Sequence, residues 1–159
     1  MILEHIFNKA YDKNTLEKIK FLSSIYLFRG IKRRDLLYVL ENLYEKKYLK
    51  GEIIFFKGDI GKALFIVYRG RIGLYRNING PLVAEVREGE FVGEMALLEE
   101  MTRTLTAVAL YDSEVFMFYR VNLEKMIKTK PRISSILTYN LACILSSRLR
   151  SMIENEQQT

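Results

Sequence analysis

The spacing of apolar residues predicts two short helices early in the chain, over residues 14–28 and 32–43. In the second segment leucines recur every three or four positions, the period of a helix that buries one face. Asn14 or Thr15 has a side chain that can cap the first helix. Residues 14–43 are therefore predicted to be mainly helical.

From Tyr48 to Tyr119 the pattern changes to short runs of Ile, Val, Phe and Tyr that are separated by glycines. Eight of the nine glycines in the chain fall in this region, and residues 57–61 and 77–81 have the composition of turns. Short strands cut by turn signals at this spacing predict a barrel or sandwich of antiparallel strands.

Helical spacing returns after Tyr119. Residues 122–128 are predicted to form a short helix, and Pro131 suits the first turn of a longer one. The polar tail from Glu154 is expected to fray. The longer helix carries an apolar stripe that consists of Ile133, Leu137, Leu141, Ile144, Leu145, Leu149 and Met152.

The length of 159 residues suits one domain with a sizeable core, so residues 1–159 are predicted to form a single domain. With 49% hydrophobic and 28% charged residues, the composition is typical of a soluble globular protein. No apolar run reaches membrane-spanning length, and we find no pattern of a signal peptide. Cys143 is the single cysteine, which excludes an internal disulfide and favours a cytoplasmic location. Its apolar neighbours predict that it is a small buried side chain.

The formal net charge of +6 and a sequence pI near 9.4 permit binding to nucleic acid or to another anionic surface. The basic residues are scattered, however, and do not form a long stripe with interleaved aromatic residues. We interpret the charge as a solvated basic surface, with non-specific DNA binding as the alternative.

The segment from Phe91 to Thr104 combines residue types that can hold a phosphate beside a ribose. Gly93 suits a turn, and the residues after it can start a short helix whose backbone N–H groups face an anion. Arg103 can add a planar set of donors to phosphate oxygens. Glu94 is itself negative, so it is better used as an acceptor for a sugar hydroxyl. The alternative is that Arg103 and Glu94 form only a solvated pair beside a turn.

Other classes of site find little support. His5 is the single histidine, whereas catalytic zinc sites need several ligands held together, so we expect no metal site. We find no nucleophile–base pair and no phosphate-binding Walker loop. Glu99 and Glu100 are adjacent, and adjacent helical residues point apart. We therefore expect neither an enzyme nor a resident cofactor.

Two blocks of residues, together with the order of helices, strands and helices, resemble the cyclic nucleotide-binding domain. The first block runs from Gly51 to Asp59 and continues through Gly61, Leu64–Val67, Gly70 and Ile72; the second is the segment Phe91–Thr104, which resembles the phosphate-binding cassette of the family. The spacing of nine positions between Glu94 and Arg103 matches that of the family. The resemblance covers residues 15–153. It implies an α+β, mainly β fold: an antiparallel, jelly-roll-like β-roll over about 44–120, flanked by N-terminal helices and by C-terminal helices over about 122–155.

The resemblance also implies a role for each matching residue. Glu94 would accept a hydrogen bond from the ribose 2′-OH, Arg103 would pair with the cyclic phosphate, and Thr104 would contact the same group. Backbone N–H groups near Gly93, Met95 and Ala96 would face the phosphate. The purine would rest on apolar positions and be covered by the last helix; the matching residues are Leu74, Val83, Ala84, Met152 and Ile153.

Two residues depart from the usual cassette pattern. Thr102 stands where proline is frequent, and Leu105 stands where alanine is usual. A leucine at that place can either crowd the pocket or pack beneath it. In the first case the chain would be a structural or protein-interaction module that kept the fold without the ligand.

The function implied is that of a cytoplasmic sensor of a cyclic nucleotide, cAMP more than cGMP, that signals through its last helix to a partner protein. Bacterial members of the family dimerise through this helix, and the apolar stripe permits a homodimer here. In those members a DNA-binding domain follows, and none is found before Thr159. We expect no membrane partner. The chain is therefore interpreted as a free-standing sensor or, alternatively, as a fragment of a larger regulator.

Overall fold

The computed structural model describes residues 11–156, with side chains as far as Glu154. It divides into two compact units, which are described separately. Of the described residues, 11–37 and 126–156 form a helical unit, and Tyr38–Lys125 form a β unit. His5 and the last three residues of the polar tail lie outside the described residues.

Within residues 11–156, four α-helices and two short 3₁₀ helices lie outside the strands, and the second 3₁₀ helix, Glu94–Leu97, belongs to the candidate site described below. The others are α1 (Lys13–Ser24), the 3₁₀ helix Tyr26–Phe28, α2 (Arg33–Glu41), α3 (Arg120–Thr129) and α4 (Pro131–Glu156). The predicted helices at 32–43 and 122–128 are confirmed to within a few residues. No helix within residues 11–156 is long and apolar enough to cross a membrane.

The first predicted helix is shorter than expected, and its cap was wrong. Asp12, not Asn14 or Thr15, is the N-cap, and its carboxylate accepts from the Thr15 N–H at 3.0 Å. The helix ends at Ser24 because Ile25 is extended, with ψ of 129°. The hydroxyls of Ser23 and Ser24 donate to backbone carbonyls one turn earlier, a local bond that competes with helical continuation.

The long helix α4 begins at Pro131, as predicted. Ile133, Leu137 and Leu141 of its apolar stripe are buried, whereas Leu149 and Met152 are exposed. Within the helical unit, the buried Asn140 side chain donates from Nδ2 to the carbonyls of Leu27 (3.0 Å) and Arg29 (2.8 Å). These two bonds connect α4 to the 3₁₀ helix Tyr26–Phe28 and to Arg29, which follows it. Cys143 is half-buried and reduced, so it is less enclosed than predicted.

The β unit confirms the predicted β-roll, with two antiparallel sheets of four strands each. One sheet has the order β1-β8-β3-β6 and the other the order β2-β7-β4-β5. The strands are β1 (Tyr44–Tyr48), β2 (Ile53–Phe55), β3 (Ala63–Arg69), β4 (Arg71–Tyr75), β5 (Leu82–Arg87), β6 (Phe91–Val92), β7 (Thr106–Ala109) and β8 (Ser113–Tyr119).

The core of the β unit is built from alternate residues of both sheets. Phe65 and Val67 of one sheet and Ile72 and Ala107 of the other belong to the same buried cluster. Burying this apolar surface provides the main stabilisation of the unit. The predicted turns lie where the strands reverse, for example at 77–81, where Gly80 N–H donates to Asn77 O at 2.9 Å.

Candidate functional site

The segment Phe91–Thr104 leaves the sheet through a glycine and returns through a short extended stretch. β6 pairs with β3, and Gly93 then takes a left-handed conformation with φ of 82°. A 3₁₀ helix follows over Glu94–Leu97. The chain returns along residues 101–103, where Thr102 forms an isolated antiparallel bridge with Ile60. The turn, the short helix and Arg103 therefore lie in one loop that follows the edge strand β6.

The backbone on both sides of Arg103 is fixed by the 57–61 turn. Arg103 N–H donates to Asp59 O at 2.8 Å, and the Arg103 carbonyl accepts from Gly58 N–H at 2.8 Å. Gly61 N–H donates to Met101 O at 2.8 Å. The two blocks recognised in the sequence are thus joined by three backbone bonds, which determine where the Arg103 side chain starts.

The Arg103 guanidinium lies among groups of the β-roll. Its Nη2 donates to the carbonyl of Ala63 at 2.6 Å. Its Cζ lies 4.4 Å from the ring centroid of Phe55 and 5.5 Å from that of Phe65. The cation is therefore held by one carbonyl and by the faces of two aromatic rings.

Two glycines make room for this guanidinium. A Cβ at Gly93 would lie 2.2 Å from Arg103 Nη1, and a Cβ at Gly61 would lie 3.4 Å from Arg103 Cζ. The Gly61 Cβ would also approach the Cβ of Ala96 to 2.9 Å. Gly93, Ala96 and Arg103 are thus close together, and glycine is needed at 93 both for φ and for space.

The electrostatic setting of Arg103 is that of a partly desolvated cation. Burial lowers the pKa of Arg103, while the negative charges of Asp59 and Glu94 act in the opposite direction. An arginine remains charged through such a shift, since its ordinary pKa lies far above neutrality. Glu94 is only 5% exposed, so its carboxylate is almost fully withdrawn from solvent.

The net charge of the chain does not come from the β unit. The described residues of the helical unit contain 12 Lys and Arg against 5 Asp and Glu, whereas the β unit contains 12 against 13. An anion at the cassette would therefore be held by the local charge of Arg103 and by backbone dipoles, and not by a generally basic surface.

The other residues that were predicted to contact the phosphate are Met95, Ala96 and Thr104, and they differ in burial. Ala96 is buried, and its N–H donates to Gly93 O at 3.2 Å within the 3₁₀ turn. Met95 is 44% exposed, and Thr104 is exposed at the end of the returning stretch. The backbone of this turn is therefore near Arg103, whereas the Met95 and Thr104 side chains face solvent.

The predicted purine positions fall on two strands and on α4. Leu74 of β4 pairs with Ala84 of β5, so both lie on the same face of the sheet. Val83 lies at the register shift between Leu74 and Tyr75 and is 46% exposed. Met152 and Ile153 lie near the end of α4, and both side chains are exposed. A covering role for the last helix stays a prediction.

Leu105, which departs from the family pattern, is half-buried and packs against the core of the β unit. The hydroxyl of the next residue, Thr106, accepts from Lys57 N–H at 3.0 Å and is buried. The Leu105 side chain therefore contributes to the packing of the β-unit core.

Three groups at this site were not predicted: the Phe55 and Phe65 rings and the Ala63 carbonyl. They lie 38 to 48 positions before Arg103, in two strands of different sheets. Only Gly61, within the first recognised block, signalled that a side chain would approach this stretch closely. Within residues 11–156 no group of three or more His, Cys, Asp or Glu is placed to hold a metal ion.

The chain is similar to several known proteins. A family model described as a cyclic nucleotide-binding domain matches residues 45–130. The cyclic AMP receptor protein of Thermus thermophilus is 34% identical over 127 residues, which cover 78% of this chain and 57% of the receptor. The cAMP-dependent protein kinase regulatory subunit of Debaryomyces hansenii is 35% identical over 100 residues, which cover 63% of this chain and 22% of that subunit.

One solved structure is similar to this chain over most of its length. The catabolite activator protein of Thermus thermophilus superimposes with a TM-score of 0.74 at 32% identity, covering 84% of this chain and 62% of that one. The chain therefore spans only part of the length of these relatives.

Proposed function

Because the chain belongs to the cyclic nucleotide-binding domain family, we propose that it binds a cyclic nucleotide in the segment Phe91–Thr104. The proposed ligand is cAMP in preference to cGMP. Two relatives named for cAMP support this choice. The whole chain acts as a non-enzymatic sensor that needs no cofactor besides this ligand.

The observation that carries the proposal is the close approach of the Arg103 guanidinium to Gly93, next to the buried Glu94. A cyclic phosphodiester bears one negative charge, which a single arginine can neutralise. Arg103 supplies a partly desolvated cation against the turn at Gly93, and the buried Glu94 supplies an acceptor that suits a ribose hydroxyl. A surface ion pair would need neither the left-handed glycine nor the close packing around the guanidinium.

The proposed output is a change in the helical unit. The second half of α4 presents exposed apolar side chains, including Leu149, Met152 and Ile153, that suit a protein partner or a second copy of the chain. A ligand can bias such a helix only through a difference in affinity between its two arrangements. The cytoplasm is the proposed location, since cyclic nucleotides of this kind are intracellular signals.

Isothermal titration with cAMP and cGMP tests the proposal. Saturable binding of cAMP, tighter than that of cGMP, is expected for the unmodified chain. Arg103→Ala should weaken binding by about 2–5 kcal/mol, since it removes the partner of a desolvated phosphate. Arg76→Ala is the matched control, because Arg76 is an exposed arginine in the connection between β4 and β5. No heat from either nucleotide, with both variants behaving like the parent, would refute the proposal.

A second candidate is a ligand-free interaction module that has retained the fold. One observation favours it: the Arg103 guanidinium already has the Ala63 carbonyl and two aromatic rings as partners. A thermal shift measurement separates the candidates, because a ligand that binds only the folded state raises the melting temperature with concentration. An unchanged melting temperature at saturating cAMP would favour the second candidate.

A further inference from the structure

The two aromatic rings beside Arg103 come from different sheets of the β-roll. Phe55 ends β2 in one sheet, and Phe65 lies in β3 of the other. Their centroids are 5.4 Å apart with an interplanar angle of 45°. With the Arg103 Cζ at 4.4 Å and 5.5 Å, the cation and the two rings form a compact triangle. Both rings are buried, so this contact is made out of bulk water.

An aromatic ring stabilises a cation differently from a carboxylate. The negative face of the ring attracts the guanidinium without cancelling its charge. It also takes none of the five N–H donors of the guanidinium, which lie in the plane of that group. A carboxylate in the same place would compete with an anionic ligand for both the charge and the donors. Ring faces are therefore suited to hold an arginine that must still bind an anion.

We propose that Phe55 and Phe65 are positioning residues that hold the Arg103 guanidinium against Gly93 and keep it available for the phosphodiester. This inference rests on the proposed function. The Ala63 carbonyl accepts from one of the guanidinium donors. The remaining donors and the positive charge serve the ligand, while the rings fix the plane of the guanidinium before the ligand arrives. Pre-ordering of this kind reduces the cost of binding.

Titration calorimetry on three variants tests the positioning role. Phe55→Met keeps an apolar side chain but removes the ring, and should weaken cAMP binding about tenfold. Phe55→Tyr keeps the ring face and should bind within about threefold of the parent. Phe118→Met is the control, because it removes a fully buried ring that is not one of the two at Arg103. Binding by Phe55→Met that equals the parent, or an equal loss in Phe118→Met, would overturn the inference.

A second measurement needs neither a ligand nor a stable variant. In NMR spectra of the unliganded parent, the δ-methylene protons and the Nε–H of Arg103 should be shifted upfield by the rings, relative to those of the exposed Arg76. Equal shifts for the two arginines would overturn the inference. Failure of the parent to bind either nucleotide would instead refute the proposed function, and the ligand role of the rings with it. The NMR shifts distinguish that result from an arginine that the rings do not hold.

Discussion

Replacing Gly93 with alanine tests the site most directly. The added Cβ would lie 2.2 Å from Arg103 Nη1, 3.1 Å from its Cζ and 3.2 Å from the Ala63 carbonyl oxygen. The guanidinium is the end of a flexible side chain, so it must withdraw by about 1.3 Å to reach an ordinary contact distance of about 3.5 Å. The bond from Arg103 Nη2 to Ala63 O, 2.6 Å long, cannot survive that movement unchanged.

The expected cost has two parts. Alanine in the left-handed region at φ of 82° costs about 1–2 kcal/mol of unfolding free energy. Loss of a hydrogen bond from a charged donor adds about 1.5–3 kcal/mol at most, because the displaced guanidinium regains some solvent. We expect Gly93→Ala to lower the unfolding free energy by about 2–4 kcal/mol. Nucleotide affinity should fall by about a hundredfold, since Arg103 no longer reaches the phosphate.

Gly89 provides a matched control within the same unit. It has the same φ of 82°, and a Cβ there would meet nothing within 4 Å. Gly89→Ala should therefore show only the backbone cost of about 1–2 kcal/mol and should bind the nucleotide normally. Urea unfolding gives the stabilities and titration calorimetry the affinities. If the two variants lose equal stability and bind equally well, the guanidinium does not sit against residue 93 and the site geometry is wrong.

Three further variants address other parts of the chain. Asn140→Ala removes two donors to backbone carbonyls and should cost about 1–3 kcal/mol in urea unfolding, whereas the exposed Asn79→Ala should cost little. The pKa of Asp12 is lowered, mainly by its hydrogen bond from the Thr15 hydroxyl, so its stabilising effect is present at neutral pH and is lost as pH falls below 3.8. The stability difference between the parent and Asp12→Ala should therefore shrink in acid, and a difference that stays constant down to pH 2 would contradict the cap. Leu105→Ala should lower the unfolding free energy by about 1–2 kcal/mol without tightening nucleotide binding, because the side chain packs on the core. Binding that becomes tenfold tighter would show that Leu105 obstructs the pocket.

The helices show what local patterns can and cannot predict. Pro131 starts α4 as expected, because proline at the first helical position needs no partner for a missing N–H. Asp12 was missed as a cap because Asn14 and Thr15 are also capping residues, and only the fold shows which one precedes the first helical turn. The end of the helix before Ile25 depends on hydrogen bonds of the serine hydroxyls and on burial of the residues that follow. Neither feature produces a repeating hydrophobic pattern in the sequence.

The cassette was predictable as a segment but not as a set of contacts. Residue type and spacing predicted Gly93, Glu94 and Arg103 as site residues, and the structure places Gly93 and Arg103 against one another. The contacts among the apolar positions depend on strand pairing, because Leu74 and Ala84 become neighbours across β4 and β5 and a bulge shifts the register at Val83. Register depends on the whole sheet, so one strand does not determine it.

The sequence alone determined the class of this protein. The change of hydrophobic period and the glycine-rich middle predicted antiparallel strands between helices, and the resemblance of two residue blocks to the cyclic nucleotide-binding domain implied the β-roll. Each of these patterns lies within a short stretch of the chain, so it can be recognised without knowing how distant residues pack. Only the tertiary structure decided what holds Arg103. The Phe55 and Phe65 rings and the Ala63 carbonyl reach it from two strands some forty residues away. Contacts of that kind follow from closing two sheets on a shared core, because only then do distant residues share one small volume.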